Sequence, residues 1–317
     1  LIIPVITILL SYLLIVFISY LMEGKSKKEI RRIFTRYLHP DIIETLIKNP
    51  DQIEMGGEEI EATVMFSDIY NFTTYSEGKH PKELVKDLND YFNYITNTIL
   101  ENNGLLDKYT GDGLMAIFGA PIPRSDHAYL ACRSAIMHKK FAEELNKQNP
   151  STSGFFHINT RLGINSGVIV AGNIGSEKRM DYTAIGDPVN LSARLEGVNK
   201  IFKTKIIISD STFALVKDRF VCRELDYLRV KGKKEPTRIY ELIDFIENSN
   251  QYQWIRQYVD ALHVYRQGEF LKAKEMFNKL AESELKDTAS ATMAERCDYL
   301  INNPPKDWDG ILTLNVK

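Results

Sequence analysis

Two aspartates stand inside apolar, strand-like segments. Asp68 lies in Val64-Met65-Phe66-Ser67-Asp68-Ile69, and Asp112 in Lys108-Tyr109-Thr110-Gly111-Asp112-Gly113-Leu114-Met115. A carboxylate at the end of a buried strand is costly unless something positive neutralises it. If the two strands are neighbours, the pair makes an oxygen-rich site suited to a hard cation such as Mg2+, the usual companion of phosphate groups. The spacing alone does not show that they meet. A third segment, Tyr182-Thr183-Ala184-Ile185-Gly186-Asp187-Pro188-Val189-Asn190-Leu191-Ser192-Ala193-Arg194, sets Asn190 and Arg194 four residues apart. On a helix opened by Pro188 they share one face. A planar, permanently charged guanidinium there suits an oxyanion.

Alternating strand-like and helix-like stretches must position these groups. Residues 62–69 read as a strand, and residues 81–102 as a long amphipathic helix bearing Leu84, Leu88, Tyr91 and Ile95. Residues 104–118 read as a hairpin turning at Gly111-Asp112-Gly113. Residues 126–145 are expected to be helical, and residues 156–173 to form a strand pair joined near Ser166-Gly167. Ile206-Ile207-Ile208 and the segment from Val221 supply further strands. This mixed order argues for an α+β sandwich rather than a doubly wound parallel sheet. Gly167, Gly172 and Gly175 have the wrong spacing for a dinucleotide loop and read as tight β-turns.

The chain has 317 residues and a formal charge of −2, enough for two or three folded units and unsuited to a polyanion. No basic stripe with interleaved aromatics is present, which argues against nucleic-acid binding. Cys132, Cys222 and Cys297 form no CxxC pair, so they read as reduced structural thiols rather than zinc ligands. The first residue is Leu1 rather than Met, and the sequence is taken as the C-terminal part of something longer. Residues 1–22 are apolar and uncharged, the length needed for a transmembrane helix. Lys25, Lys27, Lys28, Arg31 and Arg32 follow, which places the rest of the chain on the cytoplasmic side of a cell membrane. Residues 23–58 read as juxtamembrane coupling helices broken at Pro40, and residues 247–251 as a polar linker. Residues 252–317 form a helical, tetratricopeptide-like region that needs neighbours to cover its apolar face and ends in an irregular, Trp-anchored tail.

Residues 68–77, 108–119 and 181–196 together resemble, in the right order, the class III nucleotidyl cyclase catalytic domain, over about residues 59–244. The resemblance implies a ferredoxin-like βαββαβ core. It also implies two divalent cations, Mg2+ or Mn2+, held by Asp68, Asp112 and the Ile69 carbonyl. Lys108 matches the position that pairs with a purine ring nitrogen, and Thr183 the one that pairs with the exocyclic amine. Guanylyl cyclases of the family place Glu at the lysine position, and Thr183 resembles the class IIIb subset. Asn190 matches the residue that orients the ribose, Arg194 the one that stabilises charge on the α-phosphate, and Lys231 one that contacts the terminal phosphates. The implied activity is that of a membrane-anchored adenylate cyclase, making 3′,5′-cyclic AMP and pyrophosphate from ATP for signal transduction. Its sites are shared across a homodimer. The alternatives are a guanylate cyclase, or a catalytically silent domain used for nucleotide sensing or dimerisation. The overall layout resembles bacterial cyclases with an extracytoplasmic CHASE-type sensor upstream.

Overall fold

The apolar run ending at Asp68 forms β1 (Gly56–Ile69), and the sheet is built outward from it. The computed structural model describes residues 56–148, 159–176, 178–229 and 235–313. On one side β1 pairs antiparallel with β3 (Gly113–Phe118), which pairs with β2 (Gly104–Thr110). On the other side β1 pairs antiparallel along its whole length with β4 (Thr160–Ser176), from Gly56 opposite Asn173 to Ile69 opposite Thr160. Beyond β4 come β6 (Ile206–Ser209), β8 (Thr237–Phe245), β7 (Phe220–Arg229) and β9 (Leu312–Thr313), while β5 (Arg179–Ile185) pairs with the far end of β4. The β4–β6 and β7–β9 pairs are parallel and the rest antiparallel. The expected mixed α+β architecture is present.

Helices cover both faces. After α1 (Phe72–Ser76), α2 (Pro81–Glu101) starts with Pro81 in its first turn and the His80 ring accepting from the Lys82 amide. Its Tyr91, Ile95 and Ile99 recur every fourth residue and are buried. They pack with α3 (His127–Gln148) on one face, in a core that includes Met65, Leu114, Phe118, Ile164, Ile206 and Ile208. The other face carries α4 (Asp187–Phe202), whose Leu195 and Phe202 join Ile207, Leu225 and Ile239. Ile207 and its two neighbours therefore feed opposite cores, as the two-residue period of a strand requires. A short α5 (Asp210–Val216) follows β6.

Four expectations are corrected. Residues 160–176 form one strand, not a hairpin, because β1 offers a partner along the entire ladder. Gly167, Gly172 and Gly175 consequently lie inside β4 and not in turns. Gly172 runs so close to β1 that a Cβ would stand 2.3 Å from the Gly56 carbonyl oxygen. The polar linker is folded, as a 3-10 helix (Ile246–Tyr252). Asp244 organises it by accepting from Asn248 at 2.9 Å and Tyr252 at 3.0 Å. The tail is not wholly irregular, since β9 adds to the sheet. No described helix is long and apolar enough to cross a membrane. The expected transmembrane span (residues 1–22) and nearly all of the coupling segment lie outside the described residues.

The C-terminal helices α6 (Ile255–Arg266), α7 (Phe270–Ala281) and α8 (Thr288–Asn302) close over the second core through Tyr258, Leu262, Phe277 and Met293. Trp308 packs on Tyr265 and Phe270 and donates to the Arg266 carbonyl oxygen. The fastening is ionic as well as apolar. Arg223 on β7 is 2% exposed, contacts Glu241 on β8 and reaches Asp287, the cap of α8, at 2.7 Å. Its guanidinium also lies 4.5 Å from the Tyr258 ring centroid and 4.8 Å from that of Trp254. Deleting it strands two carboxylates in a poorly solvated place. Arg223→Met should lower unfolding stability by about 3 kcal/mol or more, measured by urea denaturation, and should expose α6–α8 to trypsin.

Candidate active site

Asp68 occupies the next-to-last position of β1, and Asp112 the turn between β2 and β3. Thr110 pairs with Gly113 around that turn, and Gly111 adopts a φ of 77°, which suits a tight hairpin. The β1–β3 register sets Ser67 opposite Leu114, so the turn closes beside Asp68. The two carboxylates do meet: Asp112 is held above its usual range, first by burial and then by the negative charge of Asp68.

A cation is already present. Arg161, directly opposite Asp68 in the β1–β4 ladder, is 7% exposed. One of its terminal nitrogens contacts the Asp68 carboxylate, and its Nε donates to Glu196 on α4 at 2.9 Å. Glu196 is pushed up by burial and by Asp68, with Arg161 pulling in the opposite direction. Three carboxylates thus share one guanidinium, an excess of negative charge that a divalent cation fits. Asp68, Asp112 and the Ile69 carbonyl supply hard oxygen donors. No group of three or more His, Cys, Asp or Glu side chains among the described residues could hold a metal unaided. The remaining ligands would come from bound phosphate or water.

Lys108 and Thr183, the residues expected to read a purine, sit at a second locus. Lys108 is on β2 and Thr183 on β5, strands far apart in the sheet order. In a flat sheet their separation would be on the order of 19 Å. Instead the β4–β5 arm folds back, and Thr183 Oγ1 donates to Asp107 Oδ2 at 2.6 Å. The Asp107 side chain is closed off from solvent, and Lys108 Nζ stands 3.6 Å from its other oxygen. Burial raises the Asp107 carboxyl above its usual range; the Thr183 hydrogen bond and the Lys108 charge partly offset this. Lys108 itself is half exposed.

Asn190 and Arg194 share α4, which is seated tightly on β4. A Cβ at Gly163 would lie 2.1 Å from the Glu196 amide and 2.3 Å from the Ser192 carbonyl oxygen, so only glycine lets the helix come this close. Asn190 is exposed. Arg194 has a shielded Nη1 with no hydrogen-bond partner. Glu196 does not engage it, being committed to Arg161. Lys231 lies outside the described residues. Two residues escape the sequence reading. Arg161 carries the same signal that marks Asp68, a charge inside an apolar strand, and Asp107 adjoins Lys108 after Leu105-Leu106.

Residues 57–244, more than half of the chain, match the adenylate and guanylate cyclase catalytic domain. The protein belongs to the class III nucleotidyl cyclases. It is 37% identical over 190 residues to adenylate cyclase 1 of Rhizobium meliloti, an alignment covering 60% of this chain and 28% of that protein. The chain therefore spans under a third of that curated relative. Among solved structures it resembles the adenylyl cyclase CyaB of P. aeruginosa, with 34% identity and a TM-score of 0.55, covering 60% of this chain and 97% of that one. The guanylyl cyclase Cya2 is about as similar, with 35% identity and a TM-score of 0.54, covering 62% and 98%. In this cyclase domain the carboxylate excess makes a direct prediction. Saturating Mn2+ should raise the thermal midpoint, by an amount corresponding to about 2–3 kcal/mol at roughly a hundredfold over the dissociation constant. The Asp68→Asn, Asp112→Asn double variant should lose that shift in differential scanning fluorimetry.

Proposed function

We propose that the protein is an adenylate cyclase, converting ATP to 3′,5′-cyclic AMP and pyrophosphate at two sites shared by a homodimer. The observation that carries this reading is that each locus is half-compensated within one chain. The β1–β3 end has surplus carboxylate, while Arg194 on α4 keeps a shielded N–H without a partner. Lys108 and Asp112 lie four residues apart on one hairpin, poorly placed to grip the two ends of the same nucleotide. Asp68 and Asp112 of one copy are read as facing Lys108, Thr183, Asn190 and Arg194 of the other.

In this reading, Asp68, Asp112 and the Ile69 carbonyl would hold two divalent cations, which would supply charge neutralisation for the triphosphate and favour an ionised ribose 3′-oxygen. Lys108 donates to the purine ring nitrogen, and Thr183 accepts from the exocyclic amine. Asn190 orients the ribose, and Arg194 donates to the α-phosphate as its charge grows, where a preorganised guanidinium gains most. Lys231 is assigned to the terminal phosphates. Arg161 holds Asp68 aimed until cation and substrate arrive.

The nearly equal likeness to an adenylyl and a guanylyl cyclase leaves a guanylate cyclase as the second reading. Lys108 favours adenine, whose N1 is an acceptor, over guanine, whose N1 carries a hydrogen. We further propose that residues 1–22 anchor the chain in the cell membrane, with the cyclase domain cytoplasmic, on the strength of the apolar run and the basic cluster behind it. Residues 23–58 would then relay a signal from an upstream extracytoplasmic sensor by setting the angle between the two cyclase domains.

Two measurements test the central reading. The purified protein with Mn2+ should form cyclic AMP from ATP faster than cyclic GMP from GTP; the reverse preference would favour the guanylate reading. Asp68→Ala and Arg194→Ala should each reduce turnover by about 100-fold or more. An equimolar mixture that exchanges subunits should recover about a quarter of the wild-type rate, since half the dimers then hold one intact site. No recovery would exclude shared sites.

A further inference from the structure

The Thr183 hydroxyl has one hydrogen and two lone pairs, so on its own it can serve an amine or a carbonyl equally well. A threonine in a purine pocket therefore carries no intrinsic preference between the adenine amine and the guanine oxygen. In this fold the ambiguity is removed from behind. The hydroxyl hydrogen is committed to Asp107 Oδ2 at 2.6 Å, a charge-assisted bond. Thr183 is 7% exposed and the Asp107 side chain has no exposure at all, so water does not compete for that bond. Asp107 Oδ1 accepts no hydrogen bond; burial raises the Asp107 carboxyl, and the Thr183 hydrogen bond and the Lys108 ammonium at 3.6 Å act against that rise, in favour of the ionised acceptor.

We infer that Asp107 is a specificity-positioning residue: it locks the Thr183 hydroxyl as a hydrogen-bond acceptor toward the pocket and thereby makes the site reject a 6-oxopurine. Lys108 offers only donors and Thr183 then offers only lone pairs. Adenine presents an acceptor at N1 and a donor at its amine, matching both. Guanine presents a donor at N1 and an acceptor at O6, opposing both. A site whose polar groups are left unpaired, or set lone pair against lone pair, discriminates far more strongly than one differing only in size. Asp107 touches no substrate in this scheme; it acts through Thr183. The inference rests on the ATP-cyclase reading and adds the residue that gives Thr183 its selectivity.

The test is the ratio of kcat/KM for ATP to that for GTP, in the full chain with Mn2+. Asp107→Ala frees the hydroxyl to donate, and the ratio should fall by about tenfold or more, with KM for ATP rising more than kcat falls. Thr183→Ser should preserve the ratio, because serine offers the same hydrogen to Asp107. In a Thr183→Val background, Asp107→Ala should change the ratio no further. If the alanine variant does not fold, Asp107→Asn decides, since a neutral acceptor holds the hydroxyl less firmly and the ratio should still drop measurably. A purely structural tie between β5 and β2 predicts something different: slower turnover of both nucleotides by the same factor. That unchanged ratio, in an ATP-selective wild type, would overturn this inference and leave the cyclase reading intact. A wild type that prefers GTP would overturn both.

Discussion

Everything at the cyclase centre depends on how Asp68 is paired and held in place at the end of β1. Arg161 does this from the facing residue of β4, and it also holds Glu196. One guanidinium therefore ties β1, β4 and α4 together at the place where the β2–β3 turn closes. Burying a charge pair is only weakly favourable for stability. Its effect here is positional, because it fixes the register of β1 on β4 and the seat of α4 on the sheet. Gly163 cooperates by allowing the helix backbone to come to the strand. What the arginine does not do is neutralise all three carboxylates. Asp112 stays above its usual range, first because it is buried and then because of the negative charge of Asp68. The surplus is what the proposed divalent cations would neutralise.

The uneven legibility of the sequence has a physical basis. Asp68 and Asp112 were conspicuous because a carboxylate within an apolar run needs an explanation, and Gly111-Asp112-Gly113 announces its own turn. Those are local signals. Arg161 has the same local signature, yet its importance comes from a register, and register is a property of two strands. Reading residues 156–173 as a hairpin folded at Ser166-Gly167 hid the facing partner of Asp68 altogether. The glycines of β4 misled in the same direction. Asp107 was hidden differently, since adjacent opposite charges read as a solvated pair. It becomes a shielded carboxylate only when the β4–β5 arm folds back and brings in Thr183, 76 residues away. Mixed strand order, by contrast, was enough for the α+β architecture, because it follows from connection lengths and patterning that survive in the linear chain. Lys231 and the segment before residue 56 stand apart from this comparison, lying outside the described residues.

The helices after residue 254 belong to the same physical problem. Their apolar faces do not form a separate core; Tyr258, Leu262, Phe277 and Met293 share one cluster with Ile207 and Ile239 of the sheet and Leu195 and Phe202 of α4. Beneath that cluster Arg296 reaches Asp226 at 2.5 Å, and Arg223 bridges β7, β8 and the start of α8. The helix bearing Asn190 and Arg194 is thus held from the front by the Gly163 approach and from behind by the C-terminal helices. A residue that must meet a developing charge benefits from that rigidity, because no reorganisation is then required when the charge appears.

The same economy explains why two copies suit this fold. A shielded guanidinium nitrogen with no partner costs free energy in the isolated protomer, and so does a cluster of carboxylates with too little positive charge nearby. Neither defect is repaired among the described residues, since Glu196 is held by Arg161 and the β1–β3 turn is fixed by its own ladder. A head-to-tail arrangement of two identical chains around a cation-bound triphosphate would repair both at once. The carboxylates of one copy would be screened by the cations, and Arg194 of the other would find phosphate oxygens. In such a dimer the contact would be self-complementary, so whatever one chain lacked at the first site it would supply at the second, and closure after two copies would follow from symmetry. Substrate would then be part of what completes the proposed assembly, and small changes in the angle between protomers would act directly on the distance between the two halves of the site.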